Sequence, residues 1–340
     1  MGQIHELVVQ HGRDTARKLV PIDDKRLVDL AADVLADEKG AAGFTYSGFC
    51  MASLPHRSLP DDSQWVRKSE DFSLIIEPGK LFRHGEEEGT LYGVPFGPRA
   101  RVILLYLQSE AIKTNSREIE LGSSMRQWLD RMGIERGGKT YRAFRDQAAR
   151  ISACRLTFAF KRHGREGFIR DSIVDGGLSL FDISVDGRQE RLWKETVLLG
   201  DKFFQSLKKH PVPLWDGAVS RLANQSLGID IYCWLAYRLH TLNQSSAIAW
   251  PALYAQFGAS YAHMHHFKPR FLESLKTVLI VYPDAKVVLS DDRGLTLYPS
   301  PAPVRDRRLI GSCPRKGPQD QASYAEQTAS SEGSYITKYT

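Results

Sequence analysis

Two helical patterns separated by a few residues, with a hairpin pattern directly after them, constrain this chain more than anything else in it. "SSMRQWLDRMG" (123–133) spaces its apolar residues by three and four, with Ser123 or Ser124 as a cap and Gly133 as a left-handed stop. Thr140 to Ala153 does the same with Tyr141, Phe144, Ala148 and Ile151. "CRLTFAFKRHGREGFIRDSIV" then gives two strand-like runs joined at "KRHGRE". Upstream, residues 99–113 predict an apolar helix buried on most sides, and "REIELG" (117–122) alternates as a short strand. Helix, strand, helix, helix, hairpin is the order of a winged helix-turn-helix domain. Further strands are predicted at 178–184 and 192–199.

The connection between the two helical patterns reads "GIERGGKT" (133–140), which satisfies G-x-x-x-x-G-K-[ST]. A phosphate loop needs a strand to deliver the chain, glycines to wrap the anion, and a helix N-terminus facing it. Only the helix is available here, because a helical pattern precedes Gly133. The segment predicts a turn between helices, relaxed by Gly137 and Gly138, and not a nucleotide site.

At 100° per residue the helix after Thr140 turns Tyr141, Phe144, Ala148 and Ile151 inward. Lys139, Arg142, Asp146, Ala149, Arg150 and Ala153 turn outward, with Arg145 on the flank. Long cations alternating with alanines suit close approach to a duplex, where arginines reach phosphates or guanine edges. Lys139 and Thr140 stand at the helix start, where Thr140 can cap and either residue can meet a phosphate. Ten basic residues lie between Arg136 and Arg170 against Asp146 and Glu166 alone, while the whole chain has 46 Lys plus Arg against 40 Asp plus Glu. The positive charge is therefore concentrated on one reading helix and on the hairpin tip beside it, where Lys161, Arg162 and Arg165 would hold DNA backbone.

A second, weaker copy of the order follows. Helices are predicted at 216–225, 229–242, Pro251 to Phe257, and Pro269 to about Val281, and "AKVVLSDDRGLTLYP" (285–299) predicts a hairpin. In the last helix Phe271, Leu275 and Val278 face inward, and Lys268, Arg270 and Lys276 face outward as further candidate DNA contacts. Its hairpin turn, "SDDRG", is acidic. "AHMHHF" holds His263, His265 and His266, and His263-Met264-His265 matches the His-hydrophobe-His core of metal-dependent nicking enzymes. Those enzymes need the pair on a strand, with a nucleophilic tyrosine nearby. Here the triplet is predicted in a turn before the helix at Lys268-Pro269, so it carries no metal assignment.

Residues 12–38 predict a helix and "FSLIIEPG" (72–79) a short strand, with a Pro, Ser and Asp-rich loop between them. The tail from 301 to 340 has no periodicity and predicts disorder. With 340 residues, 42% of them hydrophobic, the chain can bury a sizeable core. Cys50, Cys154, Cys233 and Cys313 are far apart, form no C-x-x-C pair and fit a reducing cytosol. The first twenty residues lack the apolar core of roughly 7–15 residues that a signal peptide carries, and no stretch is apolar enough to span a bilayer. No catalytic constellation, cofactor motif or metal set rises above chance. The expectation is a cytoplasmic α+β protein that is not an enzyme. It would hold two tandem winged-helix domains (91–210 and 211–300), an N-terminal helical and loop extension (1–90), and a disordered tail (301–340).

Several long blocks resemble one family. "LYGVPFGPRARVILLYLQSEAIKTNSREIELGSSMRQWL", "GGKTYRAFRDQAARISACRLTF", "LWDGAVSRLANQSLGIDIYCWLAYRL", "QFGASY", "FKPRFLESL" and "VYPDAKV" look like the plasmid-encoded RepA family of replication initiators, over about residues 44–304. That resemblance implies a protein that binds repeated sequences (iterons) in double-stranded plasmid origin DNA and helps open the duplex. It also implies recruitment of host initiator and helicase, and a homodimer in equilibrium with monomer. No catalytic residue is implied. An origin-nicking endonuclease and a repressor without initiation activity are the alternatives.

Overall fold

The computed structural model describes residues 2–37, 41–68, 72–82, 87–122, 125–132, 134–135, 137–162, 165–177, 195–290 and 293–304. Ser123, Ser124 and Gly133, the strand expected at 178–184, and nearly all of the expected disordered tail lie outside the described residues. The protein mixes helix and sheet.

The N-terminus holds Gln3–Leu19 (α1), which is kinked at Gly12 (φ 72°, ψ 167°), and Lys25–Ala36 (α2), where the periodicity predicts one helix over 12–38. The break between α1 and α2 comes at Val20-Pro21. A proline crowds the preceding residue out of the α region, and Val20 is extended at φ −112°, ψ 156°. Val8, Ala16, Val28 and Ala31 form a small apolar cluster that takes in Ile280, and His5 Nε2 donates to the Ile280 carbonyl at 3.0 Å.

The chain continues through Ala42–Tyr46 (β1), Ser47–Met51 (α3), Trp65–Lys68 (β2), Phe72–Glu77 (β3), Gly79–Leu81 (β4) and Thr90–Tyr92 (β5). Next come Gly97–Thr114 (α4), Glu118–Gly122 (β6), Met125–Arg131 (α5), Gly138–Ala153 (α6), Arg155–Arg162 (β7), Arg165–Ser172 (β8), Val174–Gly177 (β9) and Glu195–Leu199 (β10). Asp201–Lys209 (α7) and Pro211–Trp215 (β11) lead to Asp216–Leu222 (α8) and Ser226–Thr241 (α9). Ser246–Ala249 (β12), Trp250–Phe257 (α10), Met264–Val281 (α11), Val287–Ser290 (β13) and Gly294–Leu297 (β14) complete the described elements. Helix, strand, helix, helix, hairpin therefore occurs twice, as α4-β6-α5-α6-β7/β8 and as α9-β12-α10-α11-β13/β14. In the second copy β14 lies between β12 and β13, so the strand between the first two helices closes the hairpin into a sheet.

The segment expected as an extension is built into this framework. β1 pairs antiparallel with β11, and β2 and β3 widen the β7/β8 hairpin into an antiparallel sheet ordered β2-β3-β7-β8. The alternation in "FSLIIE" is the cause. Phe72, Leu74 and Ile76 are buried beside Leu156 and Phe158 of β7, and an isolated β7/β8 hairpin would leave that apolar face in water.

A buried polar knot joins the two repeats. Arg101 of α4 forks onto Asp230 of α9, with Nε to Oδ1 at 2.6 Å and Nη2 to Oδ2 at 2.7 Å. Its remaining donors reach the carbonyls of Leu54 (2.7 Å), Gly97 (2.8 Å) and Pro55 (3.1 Å), so all five guanidinium N–H groups are satisfied. His56 lies against the same carboxylate, with Nε2 3.5 Å from Asp230 Oδ2 and Nδ1 bonded to Ser226 Oγ at 2.9 Å. Burial pushes the His56 imidazole pKa down to about 4.

Candidate nucleic-acid interface

α5 ends at Arg131 and α6 begins at Gly138, and the carbonyls of Trp128 and Leu129 accept from the amides of Met132 and Ile134 (3.2 and 2.9 Å) as the chain leaves α5. A helix, not a strand, therefore delivers the chain into "GIERGGKT", and the segment is a bend between helices. Gly137 is extended at φ 164°, ψ 153°, and Gly138 is not in the left-handed region, so neither position requires glycine's extra conformational freedom.

Gly137 is the N-cap of α6 and no side chain caps it. Thr140 stands at the third helical position and does not cap, contrary to the expectation from sequence. The amides of Gly138, Lys139 and Thr140 consequently face the helix N-terminus without intrahelical acceptors, an arrangement that favours an anion.

The inward set on α6 is as read, with Phe144, Ala148 and Ile151 buried and Tyr141 packed at the core's edge. The outward set is shorter than the helical period suggests. Lys139, Arg142, Ala143 and Arg145 are exposed, whereas Ala149 and Arg150 are buried. Arg150 donates to Asp146 at 3.1 Å and to Asp61 at 2.8 Å, and its guanidinium lies 5.2 Å from the Phe96 ring centroid. Gln147 accepts from the Phe96 amide at 2.8 Å. Residues 61 and 93–96 thus cover the C-terminal half of α6 and make Arg150 a packing residue. What stays open is the N-terminal half, where Arg142 Nε donates to the Gly138 carbonyl at 3.4 Å.

β7 and β8 form the hairpin read from sequence, with Lys161 opposite Glu166 and Arg162 opposite Arg165. Lys161 is exposed, its Nζ 3.8 Å from Glu166 Oε1. The side chains of Arg162 and Arg165 lie outside the described residues, as do His163 and Gly164.

In the second repeat α11 starts at Met264, five residues before the Pro269 that sequence reasoning used as its first turn. Pro269 lies inside the helix and removes one backbone hydrogen bond. Buried Phe267 and Phe271 on either side of it hold that turn against the core. His263 is the N-cap, and His265 and His266 belong to the first turn, so the triplet is not in a separate turn. The His263 and His265 rings are stacked with centroids 5.3 Å apart. Phe271, Leu275 and Val278 are buried as expected. Of the outward cations, Lys268 is half-buried with Nζ 5.2 Å from the Trp250 ring centroid. Arg270 pairs with Glu273 at 3.0 Å, and Lys276 is exposed.

Tyr282, the first tyrosine downstream of the histidines, is buried and donates its hydroxyl to the Pro301 carbonyl. Burial raises its phenol above the ordinary range. Among the described residues no cluster of three or more His, Cys, Asp or Glu side chains could hold a metal ion, and no helix is long and apolar enough to cross a membrane.

Sequence reasoning missed the contribution of β2 and β3 to the hairpin sheet, and with it Lys68 and the outer side of that sheet. The available signal was the Phe168-Ile169 pair in "REGFIRDS": neighbours in a strand point to opposite faces, so one of two adjacent apolar residues turns outward.

Residues 94–251 match the family described as plasmid encoded RepA protein. No curated protein matches the chain. Two crystal structures of domains 2 and 3 of RctB are similar in part: one at 14% identity and TM-score 0.45, covering 71% of this chain and 86% of that one, the other at 12% identity and TM-score 0.43, covering 73% and 94%.

Proposed function

We propose, from the match of residues 94–251 to the family described as plasmid encoded RepA protein, that the protein initiates plasmid replication by binding repeated origin sequences through two tandem winged helices. α6 is the principal reading helix. Lys139, Arg142 and Arg145 meet phosphates or guanine edges in the major groove, and a phosphate sits over the uncapped first turn at Lys139 and Thr140. Lys161, Arg162 and Arg165 hold the adjacent backbone from the hairpin. Arg150 leaves the contact set because it is buried and doubly ion-paired. The protein acts by binding rather than catalysis, helps the origin open, and hands it to host initiator and helicase.

The observation that carries this reading is the division of α6. One side is buried in the core, and three cations on the open half have no carboxylate partner among the described residues. Footprinting the purified chain on the plasmid that encodes it tests the reading: protection at regularly spaced repeats is expected. Protection of an isolated site at a promoter would instead support a repressor. Against the nicking alternative, the histidine pair opens a helix and Tyr282 is buried, whereas Tyr298 is exposed. A covalent protein–DNA adduct formed on supercoiled plasmid with Mg²⁺ or Mn²⁺ would revive it.

A further inference from the structure

The β2-β3-β7-β8 sheet has one face in the core and one in water, and the registers fix what the outer face presents. One row across the four strands is Lys68, Ser73, Ala159 and Phe168. The next is Val66, Ile75, Thr157 and Arg170, followed by Glu77, Arg155 and Ser172. Lys161 and Glu166 close the opposite end.

Phe168 is 71% exposed, among the most exposed large hydrophobic side chains in the protein. A single exposed apolar residue is ordinary; its surroundings are what set this one apart. Beside it in the row lie the small side chains of Ala159 and Ser73, with Lys68 exposed at the far edge. At the usual strand spacing of about 4.8 Å, that floor spans roughly 14 Å between an aromatic ring and an ammonium group. Arg170 flanks Phe168 along β8, and Lys161 stands on β7 one row further toward the tip. The face carries four cations against Glu77 and Glu166: Arg170 pairs with Glu77 at 2.8 Å and Lys161 Nζ lies 3.8 Å from Glu166, while Lys68 and Arg155 have no carboxylate partner among the described residues.

We propose that this outer sheet face binds single-stranded nucleic acid, with a base stacked on Phe168 above Ala159 and Ser73 and its phosphates held by Lys68 and, in exchange for their carboxylate partners, by Arg170 and Lys161. An unpaired strand is favoured over a duplex because paired bases are already stacked on one another and offer no free ring face to Phe168. The flat floor also lacks the protruding helix or ribbon that enters a groove. The charge excess matches a phosphate backbone and disfavours an acidic protein segment. The inference goes beyond the duplex reading and shares only Lys161 with it. In a protein that opens an origin, such a face would hold one of the separated strands.

The test uses the full chain and fluorescence anisotropy, with a labelled oligo(dT) of twenty or so nucleotides as one probe and the origin-repeat duplex as the other. Phe168→Ala should weaken oligo(dT) binding about tenfold, the range of one lost base-stacking contact, and leave duplex affinity within about twofold. Phe168→Trp should restore oligo(dT) binding, and Arg142→Ala should show the reverse pattern, losing duplex and keeping oligo(dT). Loss of duplex discrimination by Arg142→Ala thus reports on the proposed function, and the Phe168 pair reports on this face. The proposal is overturned if wild type does not bind oligo(dT), as a protein-docking face would predict. It is also overturned if Phe168→Ala binds like wild type, or if the alanine and tryptophan variants lose binding equally.

Discussion

α6 and α11 hold equivalent places in the two repeats, each the third helix of its unit and each followed by a hairpin, yet their surfaces differ. Neither helix opens with a side-chain cap, but α6 offers Lys139, Arg142 and Arg145 free of carboxylates among the described residues. α11 opens on stacked histidines, keeps Lys268 against Trp250, and spends Arg270 on Glu273. The hairpins differ in the same sense. The first has the basic sequence "KRHGRE" at its tip, whereas the second exposes Val288 and Leu289 beside the acidic sequence "SDDRG". The order of elements decides where a reading helix can stand. Cations free of carboxylates favour binding there, and on that measure α6 is the helix we propose to read DNA.

The largest expected effect concerns what holds the two repeats together. Asp230→Ala leaves the buried Arg101 guanidinium without its partner and should cost about 3–5 kcal/mol, read as a shift in the denaturant midpoint. If the repeats are instead independent, the variant will show two separate transitions, with one unchanged from wild type. A second probe of the same junction is pH. Below pH 6.5 the unfolded chain gains a proton at His56 that the folded protein takes up only near pH 4. Stability should therefore fall as pH drops through that window, by about 3 kcal/mol in total. Replacing His56 with Gln should flatten this part of the pH profile, and an unaltered profile would show that other groups cause the acid loss.

The next effects in size separate the two helices directly. Arg142→Ala should weaken binding to the origin duplex by about 1–3 kcal/mol if the side chain reads a guanine, and electrophoretic mobility shifts against a mutated repeat would show the relaxed specificity. Arg270→Ala should change duplex affinity by less than about 1 kcal/mol, because exposed pairs of the Arg270–Glu273 kind contribute little and the side chain is already engaged. Equal losses from the two substitutions would erase the contrast between the repeats.

Much of the first repeat could be read from sequence because its patterns are long and unbroken: α4, α6 and the β7/β8 hairpin each repeat their period several times. β12 has four residues and no repeat to detect, so the second copy looked weaker than it is. Pro269 misled by a sound rule, since proline commonly opens a helix, but Phe267 and Phe271 carry the helix past it. Arg150 was misplaced for another reason. Helical periodicity describes α6 alone, whereas Asp61 and Phe96, which cover Arg150, come from distant segments that no local pattern connects to it. The sheet face at Phe168 was hidden in the same way, because its floor is assembled from β3 and β7.

Anisotropy titration of the origin-repeat duplex against salt, for wild type and for the Arg142→Ala, Arg145→Ala double variant, tests the central claim most directly. Two lost phosphate or base-edge cations should lower the affinity and reduce the slope of log K against log salt by about 2. A double variant with wild-type affinity and slope would contradict the assignment of α6 as the reading helix.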